Sequence, residues 1–160
     1  GRSIFENSSF IASSSNPDKN IHGTGFVARL SGTTTEFLNM LTIICFGEKP
    51  FEMVNGELIF GLKPRIPSWM FTQEEKHIEA ILSGNKQKIL IEKDCFVAML
   101  FGKTLVVYKN PKRVDTFNEN VKKYTLYFED KAIEIDGDTV FEPYSKLIRE
   151  GFCKKIIAEL

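Results

Sequence analysis

From Pro50 onward, short apolar runs recur between turn signals, and this arrangement restricts the fold more than any other feature of the sequence. Apolar and polar side chains alternate along these runs, as they do in β-strands that bury one face. Asn55-Gly56, between two such runs, is a preferred two-residue hairpin turn. The sequence therefore predicts a mainly β fold, an antiparallel, jelly-roll-like β-sandwich. Its strands, about nine in number, are predicted at residues 51–54, 57–60, 77–82, 88–92, 96–101, 104–108, 124–129, 131–135 and 152–159. Residues 74–82 allow a short helix as an alternative.

Residues 29–47, ahead of these runs, carry the clearest helical pattern. Thr33 and Glu36 have the spacing of a capping box, and Gly47 is a natural stop, so the pattern predicts a helix over about residues 34–46. Most of its circumference requires burial, because the apolar residues nearly surround it: Phe37, Leu38, Met40, Leu41, Ile43, Ile44 and Phe46. A second, short helix is predicted to begin at Pro143 and to end at Gly151.

The composition is that of a globular protein with no dominant charge. The chain has 160 residues, 42% of them hydrophobic, with 21 basic and 21 acidic side chains. This balance argues against nucleic acid and anionic membranes as partners. The three cysteines are widely spaced and have apolar neighbours, which favours reduced, buried thiols. With no signal peptide and no apolar run of membrane-spanning length, we expect a cytoplasmic protein.

The first residues do not resemble the start of a protein. The chain begins Gly-Arg-Ser without a methionine, and Phe5 and Phe10 are scattered in a polar, serine-rich region. Residues 1–34 are predicted to be irregular or partly helical. We expect this sequence to be a piece of a longer protein.

Few motifs in the sequence carry chemistry. Gly102-Lys103-Thr104 lacks the earlier glycine and the following helix of a phosphate-binding P-loop, so it is interpreted as a turn. His22 and His77 have no partners at metal-ligand spacing, and we expect neither a metal nor a cofactor. The Ser-Gly before the first helix permits two interpretations: a well-capped structural helix, or an anion site at a helix start.

Three segments in order resemble a known family. They are Glu6–Phe10 with Gly23–Leu38, then Asn55–Leu58 with Leu62–Trp69, and finally Phe101–Thr104 with Tyr108–Pro111. Together they are similar to the carboxyl-terminal end of inverting glycoside phosphorylases of the cellobiose phosphorylase type. The likeness is greatest to the branch that includes 1,2-β-oligoglucan phosphorylase.

The resemblance implies a domain organisation and a phosphate site. Residues 1–48 would be the end of an (α/α)6 barrel, and residues 49–160 a carboxyl-terminal β-sandwich. Arg29, Ser31 and Gly32 match the family's phosphate-binding Arg-x-Thr-Gly stretch, with serine in place of threonine. His22 would correspond to the family's phosphate-contacting histidine.

The resemblance also implies an activity for the full-length parent but not for this piece. The parent would cleave a β-glucosidic bond of a gluco-oligosaccharide with inorganic phosphate, inverting the anomeric centre and releasing a sugar 1-phosphate. The family's general acid, an aspartate of an earlier barrel loop, has no counterpart in these residues, so the chain alone would be inactive. Its partners would be phosphate, the oligosaccharide, the rest of its own barrel, and a second copy in a homo-oligomer.

Two other classes of function remain open from the sequence. The first is a non-catalytic carbohydrate-binding sandwich in which Trp69, Phe71 and Tyr108 form a stacking platform. The second is an interaction domain whose helix docks on a partner.

Overall fold

The structure is a computed structural model that describes residues 10–26, 31–82 and 84–160. The chain divides into two units, residues 1–39 and residues 40–160. In the first unit, β1 (Phe10–Ile11) pairs antiparallel with β2 (Gly25–Phe26), and a 3-10 helix (Lys19–Ile21) lies between them. The sequence did not predict this strand pair. The domain boundary proposed after residue 48 concerns a larger protein and stays a prediction.

The first helix, α1, spans Ser31–Phe46. The prediction that Thr33 caps it is wrong, because the helix begins two residues earlier and Thr33 lies in its first turn. Serine and threonine suit several positions around a helix start, so local chemistry does not select one of them here. The predicted end is confirmed: Gly47 follows with φ 92°, and its amide donates to Ile43 O at 2.9 Å.

The second unit is mainly β, and the predicted number of strands after Pro50 is confirmed for the described residues. The segment 74–82, for which the sequence allowed a strand or a short helix, contains a strand over Lys76–Leu82. The elements are β3 (Phe51–Val54), β4 (Glu57–Phe60), β5 (Lys76–Leu82), β6 (Asn85–Ile91), β7 (Cys95–Leu100), β8 (Thr104–Lys109), β9 (Lys123–Tyr127), β10 (Ala132–Asp136), α2 (Tyr144–Glu150) and β11 (Lys155–Glu159).

Five of these strands form one sheet in the order β10-β9-β11-β8-β7. β3–β4 and β5–β6 form separate two-stranded hairpins. The expectation of a wholly antiparallel fold is wrong at one pair, because β11 runs parallel to β8. After β8 the chain passes through β9, β10 and α2, and β11 then lies between β9 and β8 in the sheet. It pairs antiparallel with β9 and parallel with β8. An alternating pattern predicts which residues form a strand but not which strand it joins.

The five-stranded sheet has an apolar cluster on each face. The first face of the sheet consists of Val106, Tyr108, Tyr124, Leu126, Ile156 and Ala158. It packs against side chains from outside the sheet: Phe46, Phe60, Ile66, Phe71 and Ile148. On the other face, Leu105, Val107 and Ile157 pack with isoleucines of the β5–β6 hairpin. Side chains of successive strand residues point to opposite faces, so both clusters follow from the period-two pattern.

These layers make the second unit compatible with a β-sandwich. Hydrogen bonds fasten the end of α1 to the segment after β4, since Lys63 N donates to Phe46 O at 3.1 Å and Arg65 N to Ile44 O at 2.8 Å. They satisfy carbonyls that a helix end leaves without intrahelical partners. In the described part of the chain, no helix is long and apolar enough to cross a membrane.

Candidate functional site

The predicted phosphate residues are placed only in part. Arg29 lies outside the described residues. The backbones of Ser31 and Gly32 form the first turn of α1, whereas the sequence placed both residues just before the helix. The phosphate site therefore stays a prediction.

His22 lies at the end of the short 3-10 helix in the first unit. Its Nε2 lies 2.8 Å from Asn16 O, which is the distance of a ring N–H donating to a carbonyl. The same loop is held by Gly23 N, which donates to Ala12 O at 2.9 Å, and by Asp18, which caps the 3-10 helix. His22 thus stabilises its own loop through one ring nitrogen.

The predicted stacking platform is wrong. Phe71 and Tyr108 are 2% and 0% exposed and belong to the central core, whereas Trp69 is 75% exposed. The Tyr108 hydroxyl donates to the Cys45 carbonyl. Two of the three rings are therefore inaccessible to a sugar: strand alternation directs Tyr108 toward the core, and Phe71 packs into the same core beside Phe96.

A cleft of about 340 Å³ lies where β7 begins and β8 and β11 end. Two of its carboxylates are paired: Glu92 Oε2 lies 2.8 Å from Lys109 Nζ, and Asp94 contacts Arg113. The hydrogen bond from Lys109 lowers the pKa of Glu92, and the same bond raises the pKa of Lys109. These pairs engage Glu92, Asp94 and Lys109 with cationic or anionic partners of the protein itself.

A second, wider groove lies between the β3–β4 hairpin and α2. We call it the β3–α2 groove; its volume is about 610 Å³. The apolar side chains of Phe51, Met53 and Leu58 and the charged side chains of Lys146 and Arg149 line it. The Arg149 guanidinium lies over the Phe51 ring, 5.5 Å from its centroid.

Glu142 fixes the position of α2 against β4 at the edge of this groove. Its Oε1 accepts from Leu58 N at 2.9 Å, and its Oε2 accepts from Lys146 Nζ at 2.6 Å. Bonds to Lys146 and to Leu58 lower the pKa of this carboxyl. Ser145 Oγ adds a bond to Leu58 O at 2.6 Å. The walls of the groove are therefore held by buried and half-buried polar contacts.

The thiols and histidines form no reactive cluster in the described part of the chain. No group of three or more His, Cys, Asp or Glu residues there could hold a metal ion. Cys95 and Cys153 are buried and Cys45 is half-buried, which agrees with the prediction of reduced thiols. Burial raises the pKa of all three thiols, that of Cys153 to about 11, so they are poor nucleophiles.

Sequence reasoning missed the β3–α2 groove because its residues are distant along the chain. One local signal was available: Phe101 precedes Gly102 in a hairpin turn, where a bulky residue is unusual. The sequence interpretation of Gly102-Lys103 as a turn is confirmed, and Thr104 begins β8.

Neither the scan against protein-family models nor the search of curated proteins finds a match to this chain.

Proposed function

We propose that this chain is the carboxyl-terminal segment of an inverting glycoside phosphorylase of the cellobiose phosphorylase type. The proposal rests on the likeness of three sequence segments, which occur in the same order between residues 6 and 111. The mainly β second unit supports the proposal, since it is compatible with the β-sandwich that the resemblance implies. In the full-length enzyme, residues 1–48 would complete the helical barrel.

The exposed apolar side chains of α1 also support this proposal. Phe37, Met40 and Leu41 are 56%, 50% and 40% exposed, although a helix with this sequence requires burial. A barrel packed around α1 would provide that burial. The same surface would serve the alternative proposal, an interaction domain whose helix docks on a partner.

The chemistry assigned to this segment is phosphate binding. The start of α1 presents backbone amides, and Ser31 would add a hydroxyl and Arg29 a guanidinium. Phosphate held there would attack C1 of the sugar while a general acid from elsewhere in the barrel protonates the glycosidic oxygen. A single carboxyl group suffices, because phosphate is itself the nucleophile that an inverting hydrolase must generate from water.

The test uses the full-length parent with Ser31→Ala and Arg29→Ala. Loss of a hydrogen bond to a charged group costs about 1.5–3 kcal/mol, so Ser31→Ala should weaken apparent phosphate affinity roughly ten- to hundredfold. Arg29→Ala should weaken it further, because a guanidinium–phosphate pair is charge-assisted. Initial rates against phosphate concentration measure both effects.

Thr34→Ala, on the first turns of the same helix, is the matched control and should leave the phosphate requirement unchanged. Melting curves of all three variants separate loss of phosphate binding from loss of folding. An unaltered phosphate requirement in both Ser31→Ala and Arg29→Ala would contradict the site.

A further inference from the structure

We infer that the β3–α2 groove, with the ring of Phe101 beside it, binds a neutral oligosaccharide. This inference goes beyond the proposed phosphorylase and does not depend on it, because every residue involved lies in the second unit and none belongs to the phosphate site. It replaces the platform of Trp69, Phe71 and Tyr108, which the structure excludes.

Phe101 is held in a conformation that its side chain disfavours. Its φ is 51°, and the following Gly102 has φ 65°, so both central residues of the β7–β8 turn are left-handed. Asparagine, aspartate and glycine accept this geometry readily, whereas for a bulky residue it is an outlier. The ring is nevertheless 59% exposed, so burial in the core does not account for it. A strained, exposed aromatic residue in a turn is consistent with a contact to a ligand.

Phe51, which lines the groove, supports the Phe101 ring. Phe101 and Phe51 stack with centroids 5.8 Å apart and planes inclined by 19°. Phe51 also packs on the buried ring of Phe60, at 4.9 Å, which anchors the pair to the core. These contacts hold the Phe101 ring in place, and because this side chain is 59% exposed, its free face suits the C–H face of a pyranose.

Arg149 supplies hydrogen-bond donors beside the rings. Its guanidinium lies over Phe51, and among the described residues no ion pair engages it. A planar guanidinium on a ring keeps its N–H groups pointing outward in its own plane. Such donors suit hydroxyl groups at the edge of a sugar.

The charge of the groove favours a neutral ligand. Three carboxylates line it (Glu52, Glu142 and Glu150), together with the cations Lys146 and Arg149. One carboxylate and one cation of this set are already paired with each other, Glu142 with Lys146. Glu52 is also paired, with Lys49 Nζ at 3.8 Å, so Glu150 and Arg149 remain and their opposite charges cancel. Neither an anionic nor a cationic ligand is therefore attracted, whereas carboxylates and a guanidinium both bind hydroxyls.

The experiment titrates the 160-residue chain with cellohexaose and maltohexaose and follows backbone amide chemical shifts and calorimetric heat. We expect saturable shifts confined to β3, α2 and the β7–β8 turn with at least one of the two sugars. Polygalacturonate, which is anionic, should produce none. Absence of shifts with both sugars up to about 10 mM, a weak-binding regime, would overturn the inference.

Phe101→Asn is the decisive variant, because asparagine accepts the positive φ and forms an Asn-Gly turn. It should fold with a similar melting temperature and bind the sugar at least about tenfold more weakly, since the aromatic contact is lost. Arg149→Gln, which retains the turn, should weaken binding severalfold and serves if Phe101→Asn fails to fold. Trp69→Ala, which removes an exposed aromatic ring outside the groove, is the control and should bind the sugar as tightly as the unsubstituted chain does.

Two further results would overturn the assignment of the groove to a sugar. One is unchanged affinity in both Phe101→Asn and Arg149→Gln. The other is that the chain shows no sugar response but self-associates, and that Phe101→Asn abolishes the self-association. That result would assign the surface to a protein contact. Neither outcome bears on phosphorolysis by the parent, so failure here is distinguishable from failure of the proposed function.

Discussion

At the scale of single residues, Tyr124 shows how polar atoms are accommodated in this core. The side chain is 0% exposed, yet its hydroxyl accepts from Leu62 N at 2.9 Å and lies 3.2 Å from Asp138 O, to which it can donate. One hydroxyl thereby joins β9 to the segments after β4 and β10. Leaving such buried backbone groups without partners is more costly than the net gain from a typical hydrogen bond.

We expect Tyr124→Phe to lower the free energy of unfolding by about 1–3 kcal/mol, because it leaves the amide of Leu62 without this acceptor. Urea denaturation measures the change. Tyr127→Phe is the matched control on the same strand. The Tyr127 side chain is only half-buried, so removal of its hydroxyl should change the free energy of unfolding by less than about 0.5 kcal/mol. Equal stabilities of the parent and Tyr124→Phe would show that the hydroxyl does not hold these segments together.

Alkaline pH should destabilise the fold through the two buried tyrosines. Desolvation is the main reason that the pKa values of Tyr108 and Tyr124 are raised above the ordinary value. Their contribution to stability is complete below the unfolded-state pKa of about 10 and is lost progressively as the pH rises above it. In an absorbance titration at alkaline pH, these two tyrosinates should form only as far-ultraviolet circular dichroism is lost. Ionisation of both in the folded chain would contradict this prediction.

At the scale of elements, the β5–β6 hairpin contacts the body through few residues. Ile91 is 2% exposed and packs with Cys95, Leu105 and Val107, whereas Ile81 is 67% exposed on the same hairpin. The stability of this two-stranded element therefore depends on one end of it, because an isolated hairpin is marginal in water.

Ile91→Ala should lower the free energy of unfolding by about 2–5 kcal/mol, as expected for truncating a buried isoleucine. Ile81→Ala keeps the same chemistry at an exposed position and should change stability by no more than about 0.5 kcal/mol. Chemical denaturation of both variants tests the packing. Similar losses in the two would show that the hairpin packs through another face.

At the scale of the whole molecule, the chain combines several exposed apolar side chains with a net charge of zero. Phe37 and Met40 on α1 are at least half exposed, and Phe101, Phe141 and Phe152 of the second unit are 59%, 55% and 59% exposed. Phe37, Met40 and Leu41 share one face of α1, and a contiguous apolar face of this kind marks an interface or promotes association. With equal numbers of acidic and basic residues, no net repulsion keeps copies apart.

We therefore expect the isolated chain to self-associate through α1 in a concentration-dependent manner. Sedimentation velocity over a range of concentrations measures it. The double variant Phe37→Ser/Met40→Ser should shift the chain toward monomer, whereas Ile81→Ser, which removes an exposed apolar side chain outside α1, should not. If the unsubstituted 160-residue chain is a monodisperse monomer at high concentration, the role of α1 is contradicted.

Local patterns in the sequence determined the elements themselves. Strand positions followed from alternation, and the β3–β4 turn followed from Asn55-Gly56, whose φ values of 51° and 84° are those of the expected hairpin turn. The end of α2 followed from Gly151, which has φ 85°. These features depend on neighbouring residues only, and a chain of any fold containing them would form much the same turns and stops.

The tertiary structure alone decided what depends on distant residues. It placed β11 parallel to β8, buried Phe71 and Tyr108 while leaving Trp69 exposed, and brought Arg149 over Phe51. Aromatic side chains have similar local preferences whether buried or exposed, so no short segment distinguishes a core ring from a surface ring. Only the packing of strands and helices that are remote in sequence makes that distinction, and with it determines where a ligand could bind.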